Sequence, residues 1–328
     1  MGRYVRPVLR GLAARPDIAL TLLVRNPRAA PEYHAVVGEG VAVAPLWVAR
    51  DRRAFDRVWY PWNGMRFRCT APALVTINDD FAFAYPARGL IARHREQAPI
   101  RRAVRSAMHF STISAWSRSA LIERFALAAD RISIVPLAPD AFFTPGVETS
   151  PFEEPFVLAV GTGEARKNVA FLIDVFERAF PGRDVLLAIV GNPETTLRPR
   201  LRAARVPIAT LTNVDDEQLR RLYRTAAAVA VPSLAEGFGL VAAEAQACGA
   251  AVIAANTSAL PEAVGDAGLL LDPHDVLGWT AGLRELVGDP LANARYRALG
   301  PQRWAAVLPQ RTADALLAAL ERTIDDRA

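Results

Sequence analysis

The most constraining feature of this chain lies between residues 155 and 255, where short apolar runs alternate with stretches whose apolar residues recur every three or four positions. PFVLAV (155–160) reads as a strand, NVAFLIDVFERAF (168–180) as a helix with apolar residues at i, i+3 and i+4, and DVLLAIV (184–190) as a strand ended by Gly191. The cycle then repeats. DDEQLRRLYRTA (215–226) opens on Asp215 with Gln218 three residues on, a capping-box signature, and AAVAV (227–231) and AAVIAA (250–255) are further buried strands. Such alternation predicts an α/β fold, a parallel sheet with helices on both faces.

The N-terminal half carries the same rhythm less cleanly, with strands predicted at 18–24, 57–61, 73–77, 109–114 and 131–136, and a doubly wound sheet is expected there too. DAFFTPGVETSPFEEP (140–155) is rich in proline and turn residues, as a linker is. Two Rossmann-like domains follow, over 1–145 and 146–309, facing each other across a cleft, with an amphipathic helix at about 310–328 packing back on the first. The chain opens on a helical pattern, GRYVRPVLRGLAA, whereas a domain of this kind opens on a strand and a glycine-rich turn. That first strand is missing from the sequence, and the gene product is expected to begin upstream of Met1.

A chain of 328 residues that is 52% hydrophobic, with no polar low-complexity tract, is a folded protein. No apolar run reaches the roughly 18 residues that a membrane-spanning helix needs, and no secretory signal opens the chain, so the expected location is cytoplasmic. Cys69 and Cys248 lie far apart, suggesting neither a disulfide framework nor a zinc site, and both are expected reduced and buried. A net charge of +5 is too mild for a nucleic-acid footprint. From Arg88 to Arg105, however, six arginines face one acid, Glu96, in a helical pattern. This is either a solvated helix face or a surface for an anionic membrane or acceptor.

GTGEARKN (161–168) follows the first strand of the C-terminal half and contains Lys167, the one lysine among 39 basic residues. Gly161 and Gly163 allow close backbone approach, and the start of the next helix favours an anion. The third glycine of a dinucleotide fingerprint would fall at Arg166, which argues against NAD. Arg166 offers a planar fork and Lys167 a compact point charge, a pair suited to phosphates, unless both are merely solvated at a helix start. The second candidate stretch is PSLAEGFGLVAAEAQACGA, with Glu236 in a glycine-rich loop after a strand and Glu244 eight residues later among small apolar residues. A carboxylate there is costly unless hydrogen-bonded, so Glu244 is either satisfied by an arginine or receives ligand hydroxyls. Gly237 and Gly239 bracket Phe238 and would present a row of backbone N–H groups.

Taken together, strand-GTGEARKN-helix, NVDDEQLRRLYRTA and PSLAEGFGLVAAEAQACGAAVIAANTSALPEAVGDAGLLLDP resemble the nucleotide-sugar-binding half of the retaining family-4 glycosyltransferases, of GT-B fold. Weaker similarity runs through GRYVRPVL, TINDDFAF and STISAWSRSALIERF. The resemblance implies that Arg166, Lys167 and Glu236 form the catalytic set: the two cations on the donor diphosphate, Glu236 near the hydroxyls of the donor sugar. It places Glu244 on the ribose, Val214 near the base, and Gly161, Thr162, Phe238, Gly239 and Leu240 around the donor. With no strict Asp-x-Asp motif, the two cations would stand in for a divalent ion, so no metal and no cofactor is expected.

Asn78, Asp79 and Gly2 are candidates for the acceptor or sugar side, with Asn78 standing where the family usually has a histidine. Val241 and Thr212 replace a usual proline and glycine. The implied activity is retaining transfer of a hexose from a nucleotide sugar to a glycan or lipid-linked glycan, in polysaccharide or lipopolysaccharide biosynthesis. Arg88 to Arg105 would contact the inner face of the membrane, and no nucleic acid is involved. A degenerate member that binds nucleotide sugar or glycan without catalysis is the alternative.

Overall fold

The structure, a computed structural model, describes residues 2–323 apart from Glu39, Arg52, Met108, Thr162, Gly163, Arg183, Glu194, Ala306 and Leu308. The chain forms two units, one built from Met1–Asp140 with Leu308–Ala328 and the other from Ala141–Val307.

The first unit runs α1 (Gly2–Ala13), β1 (Thr21–Val24), α2 (Ala30–Val37), β2 (Ala42–Pro45), β3 (Val58–Tyr60), β4 (Ala73–Thr76), α3 (Phe81–Ala84), α4 (Leu90–Ser106), β5 (His109–Thr112), α5 (Ala115–Phe125) and β6 (Ile132–Ile134). Its strands are parallel, but they divide into a β1-β2 pair and a β3-β4-β5-β6 sheet rather than forming the one sheet expected. Among the described residues no strand pairs with the free edge of β1 or of β3. A cavity of about 1020 Å³ lies against both, lined by Leu9 of α1, Leu22 of β1 and Val58 of β3 among others. Leu74, Val75, Ile77, Phe110 and Leu121 are fully buried around the four-stranded sheet. Ser114 caps α5 by accepting from Ser117 N, and Ala126 ends it in the left-handed region.

The second unit runs β7 (Phe156–Val160), α6 (Val169–Ala179), β8 (Leu186–Val190), α7 (Arg198–Arg202), β9 (Ile208–Leu211), α8 (Asp216–Thr225), β10 (Ala228–Val231), α9 (Leu240–Ala247), β11 (Val252–Ala255), α10 (Leu260–Val264), β12 (Gly268–Leu271), α11 (Val276–Gly288) and α12 (Pro290–Ala305). The chain then returns to the first unit as α13 (Pro309–Glu321), which packs on α1 and is tied to its end by Arg15 Nη1 to Asp314 Oδ1 at 2.9 Å.

The second unit's sheet is wholly parallel, in the order β12-β11-β10-β7-β8-β9. Strand order reverses between β7 and β10, and a ligand crevice is expected at the carboxyl ends of strands at such a point. The topology thus sets GTGEARKN, which follows β7, beside PSLAEGFG, which follows β10.

Helix packing behind these strands relies on small residues. A Cβ built on Gly300 of α12 would lie 2.6 Å from the Gln246 carbonyl oxygen of α9. Alanine is the better helix former by about 1 kcal/mol, but the neighbour it meets is backbone and cannot swing away. Gly300→Ala is therefore expected to lower unfolding free energy in urea by about 1–2 kcal/mol net, despite its propensity gain; a more stable variant would contradict the close approach. The capping box read from the sequence is present, with Gln218 N donating to Asp215 Oδ1 at 2.8 Å and Asp215 N to Gln218 Oε1 at 3.0 Å. Both cysteines are free thiols. Cys248 is buried, which pushes its thiol up to about 12, but Cys69 is only half-buried, contrary to expectation, in the segment before β4.

Candidate functional site

Gly161 ends β7 at φ +97°, with its N–H donating to Val190 O at 2.8 Å. A Cβ there would stand 3.2 Å from Lys167 Cε, so the glycine leaves room for the lysine side chain to fold back over the strand end. Thr162, expected beside it, lies outside the described residues. Arg166 and Lys167 sit not on the first turn of α6 but on a separate 3-10 turn, Ala165–Lys167. Asn168, left-handed at φ 54°, breaks the path between that turn and α6.

From the neighbouring strand end comes Glu236, which is 8% exposed. Lys167 Nζ donates to Glu236 Oε1 at 2.7 Å and Arg166 Nη1 to Glu236 Oε2 at 3.1 Å, one cation on each oxygen. Ser233 Oγ adds a third hydrogen bond, to Oε1, at 2.7 Å. The loop is stitched to the turn as well: Leu234 N donates to Arg166 O at 2.7 Å and Arg166 Nη1 to Ala235 O at 2.8 Å. Burial alone would raise the Glu236 carboxyl, but Lys167 and then Arg166 more than offset it, holding the group below the ordinary carboxylate range. Arg166 also pairs with the exposed Glu164 at 2.6 Å. A guanidinium and an ammonium head are thus fixed at the switch point, with 11% and 15% of their side chains exposed.

After Glu236, Gly239 takes φ +102° and starts α9, and a Cβ there would meet Leu260 Cδ2 at 2.8 Å. Phe238 is buried with its ring edge-on to Trp304 at 6.2 Å, so its backbone rather than its side chain is the group on offer. Leu240 opens α9 and is half-buried, as is Val214, which lies just before the Asp215 cap. Glu244, one turn into α9 and 1% exposed, is met by a tyrosine: the Tyr223 hydroxyl donates to Oε2 at 3.2 Å. Tyr223, Ser233 and Ser258, whose Oγ accepts from Glu236 N at 2.8 Å, were not anticipated. Ser233 and Ser258 flank the glutamate and LPE motifs, a signal available in sequence, whereas nothing there points to Tyr223.

Asn78, Asp79 and Gly2 belong to the other unit. Asn78 follows β4, is 5% exposed, and its N–H donates to Asn63 Oδ1 at 2.8 Å. Its own Oδ1 is buried and accepts no hydrogen bond among the described residues. Asp79 Oδ1 accepts from Phe81 N at 3.1 Å, and Gly2 is the first residue of α1. Among the described residues no three of His, Cys, Asp and Glu come together as a metal-binding group, and no helix is long and apolar enough to cross a membrane.

Comparison with known proteins gives these features a context. A family model described as glycosyl transferases group 1 matches residues 143–303. The O-antigen chain mannosyltransferase B of Escherichia coli is 32% identical over 260 residues, spanning 74% of this chain and 68% of that protein. D-inositol 3-phosphate glycosyltransferase of Mycolicibacterium smegmatis is 45% identical over 115 residues, which is 34% of this chain but only 25% of that protein's length. Among solved structures, WaaG, a glycosyltransferase involved in lipopolysaccharide biosynthesis, superposes with a TM-score of 0.69 at 14% identity, covering 94% of this chain and 93% of that one. Anabaena HepE in complex with UDP-glucose gives 0.69 at 18% identity, covering 96% and 95%. At such identities the structural likeness speaks for the fold.

Proposed function

The chain belongs to the glycosyl transferases group 1 family and has the GT-B fold, and from that premise we propose that it moves a hexose from a nucleotide-diphosphate sugar to an acceptor hydroxyl with retention of configuration. The observation that carries the reading is the Arg166, Lys167 and Glu236 cluster at the sheet's switch point. Arg166 and Lys167 bind the donor diphosphate, and their charge stabilises the leaving nucleoside diphosphate as the bond from the sugar to phosphate oxygen breaks. The acceptor oxygen bonds to the anomeric carbon on the same face, and its proton passes to the departing phosphate oxygen.

Glu236 accepts from hydroxyls of the donor sugar while keeping Lys167 in place. Glu244 accepts from the ribose, main-chain atoms near Val214 meet the base, and Phe238, Gly239 and Leu240 offer N–H groups, with Gly161 and Thr162 alongside. The two cations do the work of a divalent metal, so transfer proceeds in a chelator. On the acceptor side, Asn78 Oδ1, buried and without a hydrogen-bond partner among the described residues, is suited to receive a sugar hydroxyl, though unlike a histidine the Asn78 side chain carries no titratable proton. The likeness to the O-antigen chain mannosyltransferase B of Escherichia coli supports an acceptor that is a cell-surface glycan, free or lipid-linked, and the proposal has the enzyme meet it at the inner face of the membrane.

Two expected results bear on this. Purified protein incubated with a panel of UDP- and GDP-sugars, a lipid-linked oligosaccharide extract and EDTA should release nucleoside diphosphate and yield an α-linked product from an α-linked donor. Release with no donor, or an inverted linkage in the product's NMR spectrum, would defeat the proposal. Glu244→Gln still accepts from Tyr223 and should keep its melting temperature, but it exchanges charged for neutral hydrogen bonds to the ribose, a loss of about 1–1.5 kcal/mol, or roughly tenfold in nucleotide affinity. A marked fall in melting temperature with unchanged affinity would make Glu244 purely structural.

A further inference from the structure

Tyr223 of α8 is fully buried, and its ring ends in a hydroxyl that a core position has no use for unless a partner stands opposite. The partner is Glu244 Oε2 on α9, at 3.2 Å. Along α9 the neighbours of Glu244 are buried alanines, Ala243 and Ala245, and Gln246 turns its amide to Val264 O and to Trp304 Nε1. A side-chain donor reaches the carboxylate from α8 instead. The ring that carries it is held from behind: Phe143, itself buried, stands edge-on to Tyr223 at 5.9 Å, Phe142 stands edge-on to Phe143 at 5.4 Å, and the Arg220 guanidinium lies 4.1 Å over the ring of Phe142. Arg224, the next residue on α8, clasps the same stretch, with Nε donating to Thr144 O at 2.8 Å and Nη1 to Glu148 Oε1 at 2.9 Å. A ring packed this way cannot follow the carboxylate, so the carboxylate must come to the ring. Phenylalanine would fill the same space, and burying a hydroxyl against a carboxylate adds little net stability, because both groups lose water. What the hydroxyl adds is a fixed orientation for Glu244.

We propose that Tyr223 is a positioning residue for the donor: its hydroxyl holds one oxygen of the Glu244 carboxylate so that the group meets the ribose in a set orientation, and the Tyr223–Glu244 pair thereby makes the site prefer a ribonucleotide to one that lacks the ribose hydroxyls. The inference rests on the placing of Glu244 on the ribose under the proposed function, and the experiment below separates the two.

Calorimetry on the full chain compares whichever of UDP and GDP the parent binds more tightly with its 2′,3′-dideoxy counterpart. The parent should prefer the ribonucleotide by about thirtyfold, the worth of charged hydrogen bonds to the ribose. Tyr223→Phe should bind the ribonucleotide about tenfold more weakly and the dideoxynucleotide as before, which narrows the preference to about threefold. The KM for the donor should rise with it, and kcat should move less. Phe143→Leu keeps the hydroxyl but frees the ring, and should narrow the preference in the same sense by a smaller factor. In a Glu244→Ala background no carboxylate is left to orient, so Tyr223→Phe should add no further loss. A preference kept by Tyr223→Phe, or its full loss repeated in the Glu244→Ala background, would overturn the proposal while leaving Glu244 on the ribose. Equal losses for both nucleotides would overturn it too and make Tyr223 part of the packing alone. A parent that does not distinguish the two nucleotides would take Glu244 off the ribose, and the role of Tyr223 would fall with it.

Discussion

Lys167→Ala is expected to lower donor turnover by about a hundredfold to a thousandfold, the usual loss when one preorganised group facing developing negative charge is removed. The ammonium is held 2.7 Å from Glu236 Oε1 with its stem against Gly161, so its position is set before any substrate arrives. Stability should suffer less than turnover, because the carboxylate left behind still has Arg166 Nη1 at 3.1 Å and Ser233 Oγ at 2.7 Å. Steady-state kinetics and a thermal melt on the same preparation decide between these effects. A variant that turns over like the parent would remove Lys167 from the chemistry. Lys167→Arg keeps the charge but must fit a planar head where a slim stem passes 3.2 Å from the Cβ position of Gly161. Activity between that of the alanine variant and that of the parent is expected, and full activity would mean that charge alone matters.

How much of this could be read in the sequence varied with the physical signal available. β7, β8, β10 and β11 are buried on both faces and so write themselves as continuous apolar runs, which periodicity finds. β9 and β12 are the edge strands of the same sheet, short and half-buried, and escaped notice. β2 is AVAP, four residues closed by a proline, and carries little strand signal either. In the first unit the strands themselves were foreseen near their observed places, but their division into two sheets was not, because pairing depends on which strand lies alongside and not on the pattern within one. β1 also starts at Thr21 and not at 18, after a turn in which Ile18 N donates to Arg15 O at 3.4 Å.

For the site, residue type was informative and partnership was not. Arg166, Lys167, Glu236 and Glu244 announced themselves as costly groups in loops and helices of small residues. That Lys167 and Glu236, 69 positions apart, would pair follows only from β7 lying next to β10. The sequence leaves Glu244 to an arginine or to ligand hydroxyls, and does not point to the hydroxyl of Tyr223 that donates to it, on a fully buried side chain of α8 that periodicity marks only as core.

Glu236→Ala should separate stability from binding more sharply than any other change. It leaves two largely buried cations without their shared carboxylate, and removal of one partner from a buried ion network costs about 3–5 kcal/mol. The lower end is expected, because Arg166 keeps Glu164 at 2.6 Å and the Ala235 carbonyl at 2.8 Å. The loss must also depend on pH in a fixed sense. Burial works against the ionised carboxyl, but Lys167 and Arg166 outweigh it, so the folded pKa lies below the unfolded one. Stability drawn from Glu236 is then fully present above the unfolded value of about 4.3 and fades as pH falls through the lower folded value. Parent and variant should differ most near neutrality in urea titrations and converge in acid. A nucleoside diphosphate brings to the bare cations the negative charge that Glu236 supplied, so it should raise the melting temperature of the variant by more than that of the parent. Sugar transfer should fall all the same, because the diphosphate replaces the charge of Glu236 but not its contact with the donor sugar. Equal ligand-induced shifts, or a stability gap unchanged down to acid pH, would mean that the carboxylate of Glu236 is not what holds Lys167 and Arg166 in place.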